Sequence, residues 1–137
     1  MQFSRNMEKV NISKTAEFSD LALSLKEQGH DIVNMATGEL SFKPALSIRK
    51  EACRTINKGE TLYTEVAGRK ELRDLISVKL KKDLKIDYKC DEIIVSNGGK
   101  QVIYNALHST INRGDEVIII SPYWVSYPEI IKLCGGR

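Results

Sequence analysis

DEIIVSNGGKQVIYNAL, residues 91–107, decides the fold class. Ile93, Ile94 and Val95 make an apolar run of strand length, while Val102, Ile103, Ala106 and Leu107 recur at helical spacing. Between them lie Gly98, Gly99 and Lys100, a turn joining the end of a strand to the start of a helix. The same unit begins again downstream. Arg113-Gly114-Asp115 turns the chain, Val117–Ile120 is apolar at four successive positions, and a short helix is expected from Tyr127 or Pro128. A strand that is apolar throughout is covered on both faces, as in a parallel sheet flanked by helices. The class is α/β.

Upstream of this stretch the pattern is mainly helical. Phe18, Leu21, Ala22 and Leu25 stripe a helix over Thr15–Gln28, with Gly29 as its stop. Ile32–Met35 reads as a short strand leading into Thr37-Gly38-Glu39. After Pro44, Ala45, Ile48, Ala52 and Ile56 predict a second helix closed by Gly59. Leu72, Leu75, Ile76 and Leu80 predict a third, from Arg69 to about Lys82. Two or three brief strands do not complete a doubly covered sheet. The chain is therefore expected to be the front part of a larger protein, with a small complete α/β domain as the alternative.

Composition narrows the partners. The 137 residues contain 21 basic and 18 acidic side chains, a net charge of +3, and no run near the roughly 20 apolar residues a membrane span needs. The first residues lack the apolar core of a signal peptide, so a cytoplasmic protein is expected. The densest basic run, KLKKDLKIDYK (79–89), has interleaved aspartates and one aromatic, which fits a solvated helix end and not a nucleic-acid site. Cys53, Cys90 and Cys134 are far apart, and His30 and His108 do not complete a zinc site with them. No metal is expected.

Two stretches are candidates for chemistry. Glycines before a helix let an anion approach its unsatisfied amides without Cβ interference. Gly98, Gly99 and Lys100 fit that description, although a tight turn alone would use the same residues. The spacing is not GxxxxGK[ST], since Gln101 stands in the Ser/Thr place, and GxGxxG is missing. SPYWVSYP (121–128) follows the next strand and so emerges at the same carboxyl edge, where parallel sheets bind ligands. It holds the single tryptophan, Trp124, which would either stack on a flat heteroaromatic group or fill a core gap.

Four segments in order, QGHDIVNMATGE (28–39), GETLYTEVAGRKELRDLI (59–76), SNGGKQVIYNAL (96–107) and NRGDEVIIISPYWVSYPEIIKLCGG (112–136), resemble the N-terminal third of pyridoxal-phosphate-dependent aminotransferases of the aspartate aminotransferase type, fold type I. The resemblance implies the start of a mostly parallel sheet flanked by helices. Residues 1–43 would belong to the small domain and residues 44–137 to the first part of the large cofactor-binding domain.

The resemblance also implies roles. Gly98, Gly99 and Lys100 would hold the cofactor phosphate, Trp124 would stack on the pyridine ring, and Tyr63 would reach the cofactor phosphate of a second subunit in a homodimer. Gly38 would face the α-carboxylate of the substrate, with Trp124 beside it. Thr15 and Lys100 would take the distal acid of a dicarboxylate. The substrates implied are an amino acid, aspartate or glutamate, and a 2-oxo acid. The Schiff-base lysine of the family is expected beyond Arg137, so no catalytic residue is assigned within the chain. GELSFKP (38–44) departs from the family's GEPDFDTP at Leu40 and Lys43, and Asn11 stands where Lys or Arg is common. A catalytically dead truncated remnant and a module binding a phosphorylated ligand are the competing readings.

Overall fold

A computed structural model describes residues 4–137. Its helices are α1 (Lys14–Glu27), α2 (Leu46–Asn57), α3 (Lys70–Leu84), α4 (Gly99–Thr110) and α5 (Ser126–Leu133), with 3-10 turns at Met7–Lys9 and Cys90–Glu92. Each expected helix forms within about two residues of its predicted ends. The chain divides into two units, Met1–Glu39 with Gly98–Arg137, and Leu40–Asn97.

In the first unit, Ser13 caps α1 by accepting a hydrogen bond from the Ala16 N–H, and Lys14 pairs with Glu17 one turn on. α5 packs against α4 and against the Met7–Lys9 turn. Its Ile130 and Ile131 are the buried hydrophobic residues among those described. Pro128 lies in the first turn of α5, where its missing N–H does no harm. Gly136 is needed for close packing: a Cβ there would stand 2.9 Å from both Ile111 Cδ1 and Ile131 Cγ2.

In the second unit, Arg73 on α3 donates to the carbonyls of Gly68 (2.9 Å) and Cys90 (3.0 Å). The Val95 N–H donates to the Ala67 carbonyl at 2.9 Å, so the 65–68 turn lies against residue 95. Gly68, at φ +94°, leaves no room for a side chain, because a Cβ would sit 2.8 Å from Val95 Cβ. The basic run forms the exposed end of α3. Lys79 pairs with Asp83 and Lys81 with Asp87, and Lys85 closes the helix in the left-handed conformation at φ 61°.

The sheet is where expectation and structure part. Among the described residues no strand is formed, and the segments expected at 32–35, 92–96 and 117–120 run extended without pairing with one another. An extended segment becomes a strand only beside a ladder partner, and none of the three serves the others. One rung is present. The Arg137 N–H donates to the Asp115 carbonyl at 2.9 Å, and the Arg137 carbonyl accepts from the Val117 N–H at 2.8 Å, the slanted pattern of parallel pairing with α5 as the crossover.

In two of these segments the side chains alternate in burial. Val117 and Ile119 are half-buried, whereas Ile118 and Ile120 are 92% and 85% exposed. Ile93 and Val95 are half-buried around an exposed Ile94, so in both segments one face is covered and the other is bare, whereas in 32–35 only Ile32 is half-buried and Val33, Asn34 and Met35 are exposed.

Candidate active site

Gly98 caps α4 at φ 83° and ψ 159°, a backbone conformation open to glycine alone. Having no side chain, it makes no capping hydrogen bond, and α4 has no acidic residue in its first turn. The leading amides of the helix, with its positive dipole end, are therefore presented to an anion without a competing carboxylate. Beyond the adjoining backbone, no atom lies within 4 Å of the positions a Cβ would occupy on Gly98 or Gly99. Lys100 follows on the first turn and has no carboxylate partner among the described residues.

Trp124 joins this turn. Gly99, Lys100 and Trp124 line one small cavity of about 190 Å³, floored by Ile103 and Ile130. The Trp124 carbonyl accepts from the Tyr127 N–H at 3.0 Å, which starts α5 directly after the indole. Two stretches separated in sequence thus put a helix N-terminus, a cation and an indole around one space.

A second cavity, about 1010 Å³, adjoins the same lysine. Lys100 lines it together with Asn11, Ser13, Lys14, Ser126 and Glu129. Thr15 is half-buried on α1, and its neighbours Lys14 and Ala16 line this cavity while Thr15 itself does not. Gly38 sits in an exposed loop; next to it, the Thr37 hydroxyl is hydrogen-bonded to the Ser19 hydroxyl of α1 at 2.8 Å. Tyr63 belongs to the other unit, where its side chain is fully exposed beside the equally exposed Val66.

The family model for Aminotransferase class I and II matches residues 30–137. The chain belongs to that family. It is 45% identical over 130 residues to the "Probable aspartate/prephenate aminotransferase" of Rhizobium leguminosarum bv. phaseoli, covering 95% of this chain and 32% of that protein. It is 39% identical over its whole length to the aspartate aminotransferase of Bacillus subtilis strain 168, covering 35% of that protein. Among solved structures, the aspartate aminotransferase of Thermus thermophilus with maleate superposes with a TM-score of 0.94 at 36% identity, over 99% of this chain and 36% of that one. The chain spans about a third of the length of the curated relatives it matches.

Pyridoxal phosphate is the cofactor of class I aminotransferases, and the residues present fit it. The open glycine turn suits a phosphate dianion, Lys100 supplies charge, and Trp124 offers an aromatic face in the same cavity.

The structure adds residues that sequence reading passed over. Glu129 accepts from the Asn11 N–H at 2.7 Å, from Asn11 Nδ2 at 3.2 Å and from Lys132 Nζ at 2.8 Å. The Lys132 ammonium and the Asn11 donors hold its carboxyl down from 4.5 to about 2. In sequence Glu129 is one more acid in the first turn of a helix, and nothing local marks its partner 118 residues away. Arg73 was equally hidden, because both of its acceptors are backbone carbonyls.

Proposed function

We propose that this chain is the N-terminal third of a cytoplasmic, homodimeric aminotransferase that moves an amino group between aspartate or glutamate and a 2-oxo acid through pyridoxal phosphate. The observation that carries the reading is the convergence of Gly99, Lys100 and Trp124 on one cavity, with Gly98 capping the helix directly before them. On this reading residues 1–43 belong to the small domain and residues 44–137 open the large one.

When bound, the cofactor supplies an electron sink for the carbanion formed as the substrate loses its α-proton. The residues of this chain bind and orient. The Gly99 and Lys100 amides, together with the dipole of α4, fix the phosphate, and the freedom of Gly98 sets the angle at which they do so. Trp124 stacks on the ring and excludes water from one face. The Gly38 backbone faces the α-carboxylate, Thr15 and the Lys100 ammonium take the distal acid, and Tyr63 reaches the phosphate site of the second subunit. The lysine that moves the proton is expected outside residues 1–137.

The bare apolar faces and the absence of a sheet among the described residues favour one further reading, that these residues by themselves are an inactive remnant. Both readings are separated by one experiment on the complete gene product. It is incubated with pyridoxal phosphate, reduced with borohydride and digested, and then assayed with aspartate and 2-oxoglutarate. A cofactor-labelled lysine peptide and amino-group exchange are expected. Absence of any labelled lysine would sink the enzymatic reading.

A further inference from the structure

We propose that Glu129 is a positioning residue that straps the segment 6–13 along α5 and so builds one wall of the cavity that Lys100 lines. The strap is fastened at two points. Near its start, Asn6 Nδ2 donates to the Leu133 carbonyl at 3.1 Å. Near its end, Glu129 accepts from both the backbone and the side chain of Asn11, through different carboxylate oxygens. Between them the Met7–Lys9 turn packs on α5. Val10, Asn11, Ile12 and Ser13 then line the large cavity, and Ser13 caps α1.

Glu129 suits the task for physical reasons. Its side chain is 23% exposed, and Lys132 one turn further along α5 donates at 2.8 Å to Oε1, the oxygen that also accepts from Asn11 Nδ2. A carboxylate anchored in this way meets the strap with little rotameric freedom left to lose. Hydrogen bonds to an ionised acceptor are roughly twice as strong as neutral ones. Asn11 directs both its backbone N–H and its side-chain Nδ2 to Glu129, which ties it to the wall of the cavity it lines. The link to substrate rests on the function proposed above; the strap itself does not.

The test uses the complete gene product with cofactor bound, in the variants Glu129→Ala, Glu129→Gln and Asn11→Ala. Amide exchange of the peptide covering residues 6–13 is followed by mass spectrometry, alongside kcat and KM for aspartate. In Glu129→Ala, exchange in 6–13 should quicken about tenfold, the factor that about 1.4 kcal/mol commands. KM should rise by a similar factor with kcat within about twofold, as expected when binding is lost equally from ground and transition states. Glu129→Gln keeps one acceptor oxygen and should fall between, as should Asn11→Ala, which keeps the backbone bond.

Unchanged exchange in Glu129→Ala would overturn the proposal. Faster exchange with an unchanged KM would overturn the claim that the strap walls the substrate cavity. Faster exchange in a protein that never transfers an amino group would uphold the strap and refute the proposed function.

Discussion

The phosphate turn can be tested by two alanines that ask different questions. Gly98 lies at φ 83° and ψ 159°, where a side chain strains the backbone, yet nothing stands within 4 Å of its would-be Cβ. Gly98→Ala therefore brings conformational strain without a clash, of order 1–3 kcal/mol. If the turn relaxes by shifting the leading amides of α4, that strain appears as weaker cofactor binding, by about 5-fold to 150-fold.

Gly99 is the first residue of α4, with helical neighbours and the same open space. In a helix alanine is favoured over glycine by about 0.5–1 kcal/mol, so Gly99→Ala should leave the melting temperature level or slightly raised. Its methyl group would nevertheless occupy the space a phosphate needs against the backbone. The expected signature is a protein of undiminished stability that has lost cofactor affinity. Equilibrium titration with pyridoxal phosphate and thermal melts of the cofactor-free complete gene product separate the two effects. Wild-type affinity in Gly98→Ala would refute the argument from backbone geometry. Wild-type affinity in Gly99→Ala would show that no phosphate approaches this turn.

Three further outcomes follow from the same structure. Gly68→Ala should destabilise by about 2–5 kcal/mol, combining a positive φ with overpacking against Val95, and urea unfolding should show the loss halved when Val95→Gly removes the clash; equal losses in both backgrounds would contradict the packing argument. The Glu129 carboxyl is depressed from 4.5 to about 2, so the stability it lends is complete above about pH 4.5 and is lost as pH falls toward 2. Protection of segment 6–13, taken relative to the intrinsic exchange rate at each pH, should fall through that window and stay flat there in Glu129→Gln. Residues 1–137 expressed alone should show no cooperative melt and should bind a hydrophobic dye; a sharp transition in monodisperse material would refute this.

What was legible in the sequence was whatever depends on near neighbours. Apolar spacing placed four helices, the proline at 128 marked the start of the fifth, and the glycine before Lys100 marked the turn, because helices and their ends are set by residues three or four apart. The strands were legible as apolar runs and illegible as a sheet, since a ladder depends on partners that periodicity does not name. Ile118 and Ile120 show the difference: they are strand-like in composition and bare in the structure. The Glu129–Asn11 link was beyond reach for the same reason. Its donors and acceptor are 118 residues apart, and the Asn11 backbone, which makes the shorter bond, carries no side-chain signal at all.

The bare faces also bear on how the chain should be treated chemically. A folded monomer of this mass exposes about 7,200 Å² by the usual scaling of surface with size, whereas this chain exposes 12103 Å². The surplus, about 4,900 Å², matches the upper range of obligate interfaces, about 2,000–5,000 Å². A surplus of that size is more than one ligand could cover, so a phosphorylated small molecule does not account for it. Part of it falls on Ile94, Ile118 and Ile120, the pattern left when strands written for cover on both faces are covered on one, and part on helix residues such as Phe18, Ile48 and Leu75. The cofactor turn stands at the ends of those same segments: Gly98 follows residues 93–95 and Trp124 follows residues 117–120. Cover on the bare face of residues 117–120 would therefore also steady Trp124, which follows them. Affinity for pyridoxal phosphate should accordingly depend on that cover being in place, and weak binding by residues 1–137 alone would be no argument against the site.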